Sequence, residues 1–320
     1  MNNDITIIDS NTLITINSNQ EIINKWFKMS ELTNKNTKQT YLEGLCKFVS
    51  FIKEKGIVNP TSETIIDFKE FLMNRYSNSS SYNYLSGVKS FYKFLELQNI
   101  SQDITRGIKL PKIQRGNKKD SLTLDQLKSL FSILNQDTLL NARDCCIIQL
   151  MIRTGLRSCE VIGANIEDIQ NKEGEKVLYI KGKGHTEKDN FVVIEPDLMN
   201  IIDNYLNKRK KYIDKDPLFI SLSNNTYGER LKSISFRKIV KEKLREANID
   251  SNRISTHSLR HTAITLALIS GSTLVETRDM ARHTDINTTA DYFTNLQRVQ
   301  NSPEAKIGKF IKENITSDIN

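Results

Sequence analysis

The chain has 320 residues, 38% hydrophobic and 26% charged, the composition of a soluble globular protein with room for one large or two medium domains. Lysine and arginine number 46 against 38 acidic residues, so the net charge of +8 draws polyanions to the surface, which permits nucleic acid without singling it out. No apolar run reaches the roughly 18 residues of a membrane span, and no basic-then-apolar leader opens the chain, so no membrane partner is expected and the expected location is cytoplasmic.

Residues 1–18 hold two short β-branched runs around Asp9-Ser10-Asn11, read as an N-terminal extension that forms a hairpin or stays flexible. From residue 19 the pattern is helical. Tyr41, Leu45, Phe48, Val49 and Ile52 recur with helical spacing and Gly56 is the stop. Thr61 or Ser62 caps a further helix with Ile65, Phe68 and Leu72 inward, and another spans about 80–97 with Leu85, Val88, Tyr92 and Leu95 on one side. Four helices over 19–104 make a small bundle. Lys35, Lys38, Lys47, Lys53, Lys55, Lys89 and Lys93 decorate it, interleaved with Tyr82, Tyr84 and Tyr92; singly they are a solvated surface, together a face that suits DNA.

Residues 105–120 combine Gly107, Pro111 and Gly116 with dense Lys and Arg and no hydrophobic period, the signature of a basic linker. Thr123 and Gln126 have capping-box spacing and open a larger, mostly helical domain, 121–302. A helix from about Asn141 to Thr154 stops at Gly155, and Arg157 to Glu160 starts the next. Residues 176–181 and 190–194 read as antiparallel strands joined through Gly182-Lys183-Gly184. Helices follow over Asp197 to Tyr212 and Ile234 to Ala247, with a short buried strand or extended piece at Pro217 to Ser221 between them. The four cysteines, Cys46, Cys145, Cys146 and Cys159, have no Cys-x-x-Cys spacing and are read as reduced; three lie in or beside an apolar helical stretch.

The stretch from His257 to Tyr292 carries the chemistry. His257 and Arg260 are neighbours on the first turn of an apolar-periodic helix that stops at Gly271. A second short helix ends near His283, and a third, opened by Asp285 or Asn287, carries Tyr292. Folded back on one another, these helices would bring together an imidazole, a guanidinium, a second imidazole and a phenol. Arginine presents a fork matched to phosphate oxygens, histidine donates or moves a proton near neutral pH, and tyrosine is a nucleophile, so the set suits a phosphodiester. His257 and His261 have a spacing that can hold zinc, but no glutamate follows His257 as in the metalloprotease motif, and no metal is expected. There is no P-loop and no dinucleotide fingerprint, so neither ATP nor a redox cofactor is expected.

The ordered set Arg157, Lys183, His257-x-x-Arg260, His283 and Tyr292 resembles the catalytic set of the tyrosine recombinases, the phage integrase and Xer-type family, over most of the chain. The resemblance implies a mainly α (α+β) fold: a four-helix core-binding domain (19–104), a basic linker (105–120), a mostly helical catalytic domain with a small antiparallel β-hairpin or sheet (121–302), and a C-terminal helix and tail (303–320) that docks either on its own domain or, as in the family, on a neighbouring protomer. It implies a site-specific recombinase that cuts and rejoins double-stranded DNA at a specific site, as a tetramer on two DNA sites. Tyr292 would attack the scissile phosphate and form a 3′-phosphotyrosine. Arg157 and Arg260 would hold the nonbridging oxygens, with Glu160 supporting Arg157. His257 would assist deprotonation of Tyr292 or donate to the phosphate, His283 would donate, and Lys183, with Lys181 and Lys188 as competitors, would protonate the leaving 5′-oxygen. One departure stands out: the family pattern has Gly just before its second histidine, where this chain has Arg282. Two rivals share parts of the reading, a type IB topoisomerase that reseals the same strand and a non-catalytic DNA-binding accessory protein.

Overall fold

The computed structural model describes residues 6–9, 12–15, 20–113, 120–182, 187–300 and 302–314, so Lys183, the residue assigned to the leaving group, lies outside the described residues. The chain divides into two compact units, residues 1–115 and 116–320. No described helix is long and apolar enough to cross a membrane.

The first unit begins with an antiparallel hairpin of β1 (Thr6–Asp9) and β2 (Thr12–Thr15), Ile7 opposite Ile14. Four helices follow: α1 (Gln20–Met29), α2 (Lys35–Glu54), α3 (Ser62–Arg75) and α4 (Asn78–Leu97). Local chemistry sets their starts. Asn34 accepts from the backbone N–H groups of Asn36 and Thr37, Thr61 and Thr64 form a reciprocal box, and Ser77 caps α4. Trp26, Phe48, Phe68 and Phe91 are fully buried between them, each contributing roughly 1.5–3 kcal/mol of transfer free energy. Helices α2 and α4 pack backbone to backbone. A Cβ on Gly87 would lie 2.7 Å from the Tyr41 carbonyl oxygen, and one on Gly44 would lie 2.7 Å from the Cα of Tyr84, so alanine at either position would force the helices apart.

Residues 105–113, expected as linker, lie instead against this bundle. Lys89 donates to the carbonyls of Thr105 and Ile108 at 2.7 and 2.8 Å, and Ile108 and Leu110 pack on the apolar core. Lys47, read as a surface lysine, sits over the rings of Tyr76 and Tyr84 at 4.6 and 5.1 Å and donates to Tyr76 Oη.

The second unit is built on α6 (Leu139–Thr154), nearly every residue of which from Ala142 onward is buried. Around it lie α5 (Leu124–Ile133), α7 (Ser158–Gly163), α8 (Pro196–Arg209) and α9 (Ser233–Glu246). Cys145 and Cys146 are part of this core, whereas Cys159 is exposed on α7. The expected strand pair is a three-stranded antiparallel sheet, β3 (Ile169–Lys172), β4 (Glu175–Ile180) and β5 (Asn190–Val193), with β4 central. Strand β3 carries a single apolar residue, Ile169, so alternation gave no signal for it; its pairing with β4 across the tight turn at Gly174 creates it. Of the two readings of Pro217 to Ser221, the segment is the extended piece, with isolated bridges of Asn165 to Pro217 and Ile220 to Arg230.

Three helices close the unit: α10 (Thr256–Ile269), which packs on α6, then α11 (Leu274–Ala281) and α12 (Asn287–Gln300). The Asp285 side chain accepts from the Asn287 N–H and so opens α12. The last helix, α13 (Pro303–Asn314), leaves Ile307, Phe310 and Ile311 exposed.

Candidate active site

Helix α6 ends at Gly155, whose left-handed backbone (φ 63°) turns the chain back beside α10. The buried Arg260 guanidinium reaches across, donating to the Gly155 carbonyl from one nitrogen and to the Ala281 carbonyl at the end of α11 from another. It is 2% exposed, and among the described residues no carboxylate pairs with it. A buried cation held only by carbonyls is costly, and such groups concentrate where an anion is to be received.

Arg157 stands at the head of α7. Its backbone N–H and its guanidinium donate to the two carboxylate oxygens of Glu160 at 2.7 and 2.8 Å, and a second guanidinium nitrogen donates to the Arg282 carbonyl at 3.1 Å. The expected support of Arg157 by Glu160 is therefore a direct contact. Arg282 joins the same carboxylate at 2.9 Å. Burial pushes the Glu160 carboxyl up, but Arg282 and then Arg157 overcome it and its pKa is lowered, so it is ionised at neutral pH. Two guanidiniums, those of Arg157 and Arg282, thus share one carboxylate, and Arg260 is lowered to about 10 by burial and by the neighbouring Arg157 and Arg282.

Tyr292, on α12, is buried with Ile264 and Ala281. Its hydroxyl meets Nδ1 of His261, not His257. Burial and the neighbouring imidazole and cationic groups lower His261 to about 4, so it is neutral at pH 7, while burial raises Tyr292 to about 12 and keeps the phenol protonated. His257 stands one turn earlier, its ring edge-on to His261 at 4.5 Å between centroids. The residue is exposed to solvent in part, and partial burial, followed by Arg260 and Arg157, lowers its pKa. His283 follows α11. Its Nδ1 lies 2.9 Å from the buried Thr289 hydroxyl, and its ring is nearly parallel to that of Tyr292 with centroids 6.5 Å apart. Burial and then the three arginines push His283 down to about 4.

The structure thus gathers Arg157, Glu160, His257, Arg260, His283 and Tyr292 in one place. Of the lysines, Lys188 is paired with Asp168 and Lys181 is exposed beyond β4. Sequence reasoning missed His261 as the partner of Tyr292, although its four-residue spacing from His257 put it on the right face. It also registered Arg282 only as a departure. The arrangement sets a tyrosine hydroxyl beside clustered arginines, a combination whose chemistry suits an anionic ester.

Comparison with known proteins agrees. Residues 120–298 match the phage integrase family, and residues 24–99 match the phage integrase N-terminal SAM-like domain. The chain belongs to the phage integrase family. It is 28% identical to the tyrosine recombinase XerD of Rickettsia bellii, over 87% of this chain and 94% of that protein. It is 29% identical to the tyrosine recombinase XerC of Caldanaerobacter subterraneus, over 85% and 81% of the two chains. The fold is shared with XerH site-specific recombinase bound to palindromic difH substrate in a post-cleavage complex, at 20% identity and a TM-score of 0.68 over 84% of this chain and 80% of that one. It is also shared with a lambda integrase dimer bound to a COC′ core site, at 12% identity and a TM-score of 0.64 over 84% and 96%.

Proposed function

We propose that this protein is a site-specific DNA recombinase that acts on double-stranded DNA through a covalent tyrosine intermediate. The observation that carries the reading is the buried Arg260, without a carboxylate of its own among the described residues, beside the hydroxyl-bearing ring of Tyr292 and the Arg157–Glu160 pair. An excess of buried positive charge next to a nucleophile is complementary to a phosphodiester whose charge grows in the transition state.

In this reading Tyr292 Oη attacks the scissile phosphorus; the bond to the 5′-oxygen breaks as the bond to Oη forms, leaving a 3′-phosphotyrosine and a 5′-hydroxyl. As the bond to phosphorus forms and the phenol oxygen loses its basicity, its proton moves to neutral His261, its hydrogen-bond partner. Arg157 and Arg260 hold the nonbridging oxygens. His257 and His283 donate to the phosphate, and Lys183 supplies the proton for the leaving oxygen. The reverse attack by a partner strand's 5′-hydroxyl restores the phosphodiester, so bond energy is conserved and no nucleotide cofactor is called for. The basic surface of the first unit holds the duplex through phosphates, and the exposed Ile307, Phe310 and Ile311 of α13 join protomers into a tetramer on two DNA sites.

The test is to incubate the purified chain with the DNA that flanks its own gene and to map protein-linked breaks that survive detergent. Wild type should give them at a defined position, and Tyr292→Phe should bind that DNA with nearly unchanged affinity and give none. A normal adduct yield from the Phe variant would move the nucleophile elsewhere, and breaks scattered without a defined position would point to strand relaxation instead.

A further inference from the structure

Arg282 occupies a position that disfavours any side chain. It ends α11 with φ 54° and ψ 48°, the left-handed region in which a Cβ crowds the following carbonyl and glycine is the default. Yet its side chain is turned inward and is only 9% exposed. The guanidinium donates to Glu160 at 2.9 Å and to the Met280 carbonyl at 2.6 Å, while the Arg282 carbonyl itself accepts from the Arg157 guanidinium at 3.1 Å. Arg282 therefore touches both members of the Arg157–Glu160 pair, one through its side chain and the other through its backbone.

The consequence is electrostatic. Glu160 has no exposed side-chain surface, and Arg157 already engages both of its oxygens. With only those two groups present, the carboxylate would cancel the Arg157 charge at contact distance, and in a partly desolvated site little field would remain for a phosphate. Arg282 adds a second cation to the same carboxylate. Glu160 is then divided between two guanidiniums, and one net positive charge survives on the Arg157 side. We propose that Arg282 is a positioning residue that offsets Glu160, so that Arg157 keeps its orientation from the carboxylate and its charge for the scissile phosphate. The inference rests on the recombinase reading, since it assigns Arg157 to a phosphate.

The experiment is single-turnover cleavage of a nicked duplex built on the mapped break site, by wild type and the variants Arg282→Gly, Glu160→Gln, Arg157→Ala and the double variant Arg282→Gly/Glu160→Gln. Glycine suits the left-handed backbone, so Arg282→Gly keeps the turn. It should slow cleavage on the order of tenfold, less than the about 10²–10³-fold loss expected of a donor that touches the phosphate. Glu160→Gln should be slow alone, because it leaves Arg157 and Arg282 facing each other uncompensated. The double variant should be faster than either single one, since it removes both a charge and the charge that offsets it; a merely structural role gives no such rescue. Arg282→Gln against Arg282→Lys, which share the backbone cost and differ in charge, repeats the comparison should the glycine variant fold poorly, with only the lysine variant retaining most of the rate. Cleavage by Arg282→Gly or Arg282→Gln at the wild-type rate, or a double variant as slow as the two single losses multiplied, overturns the inference while leaving the recombinase reading intact. Normal cleavage by Arg157→Ala sinks the reading itself.

Discussion

Lys47 and Lys89 in the bundle are partly, and Arg260 in the larger unit almost wholly, withdrawn from bulk water, yet they are used in opposite ways. Lys47 lies over two tyrosine rings and bonds a phenol, and Lys89 clasps two carbonyls that hold residues 105–113 onto the bundle. Their charges are spent on the fold. Arg260 also binds two carbonyls, but it sits beside Arg157 and Arg282, which divide the Glu160 carboxylate between them. There the fold tolerates like charges held together, which costs stability and creates a place for an anion. In the bundle the cations serve internal contacts; in the second unit they are held together with less opposite charge than they carry.

The sharpest way to separate the two units is to damage one and read the other. Phe48→Ala removes a fully buried ring from the bundle and should cost about 3–5 kcal/mol, seen as an early unfolding transition by calorimetry or denaturant titration. Cleavage by the fraction that remains folded and bound should be unaffected. A loss of chemistry without a loss of bundle stability would break the division.

Arg157→Ala should do the reverse. Cleavage should fall about 10²–10³-fold, equivalent to about 2.7–4 kcal/mol of lost transition-state stabilisation, with the melting temperature of the free protein changed little because this side chain is partly solvent-exposed. Single-turnover rates and a thermal melt on the same preparation check both halves. A fall under tenfold would place Arg157 outside the reacting centre.

A smaller effect distinguishes the units by pH. All four histidines lie in the second unit, and His261 and His283 are lowered to about 4 from an ordinary value of 6.5. Between those values the unfolded chain binds protons that the native chain refuses, so stability rises with pH across the window and is lost progressively as pH falls from about 6.5 to about 4. For the buried His261 the contribution is at most about 3 kcal/mol. The second unit should therefore lose stability in that range, and His261→Gln, which can still accept the Tyr292 hydroxyl, should flatten the dependence. The bundle has no histidine and should show much less change. Equal slopes in wild type and His261→Gln would remove His261 as the cause.

Much of this architecture was legible in the sequence because it depends on short-range rules. Helical periodicity and caps such as Thr61 and Thr123 marked the helices, and the ordered spacing from Arg157 to Tyr292 marked the site. What the sequence left open depends on how deeply one element crosses another. His257 and His261 share a helical face, and which of them meets Tyr292 is decided by where α12 passes over α10. Arg282 and Glu160 lie 122 residues apart, so no local pattern links them. Strand β3 exists because β4 pairs with it, and residues 105–113 leave the linker because Lys89 reaches them. The sequence by itself determined which residue types stand on which turn of which helix, through backbone periods that repeat every few residues. Only the tertiary structure decided which charges share a carboxylate and which imidazole holds the phenol, because those are contacts between elements, set by packing depth rather than by spacing along the chain.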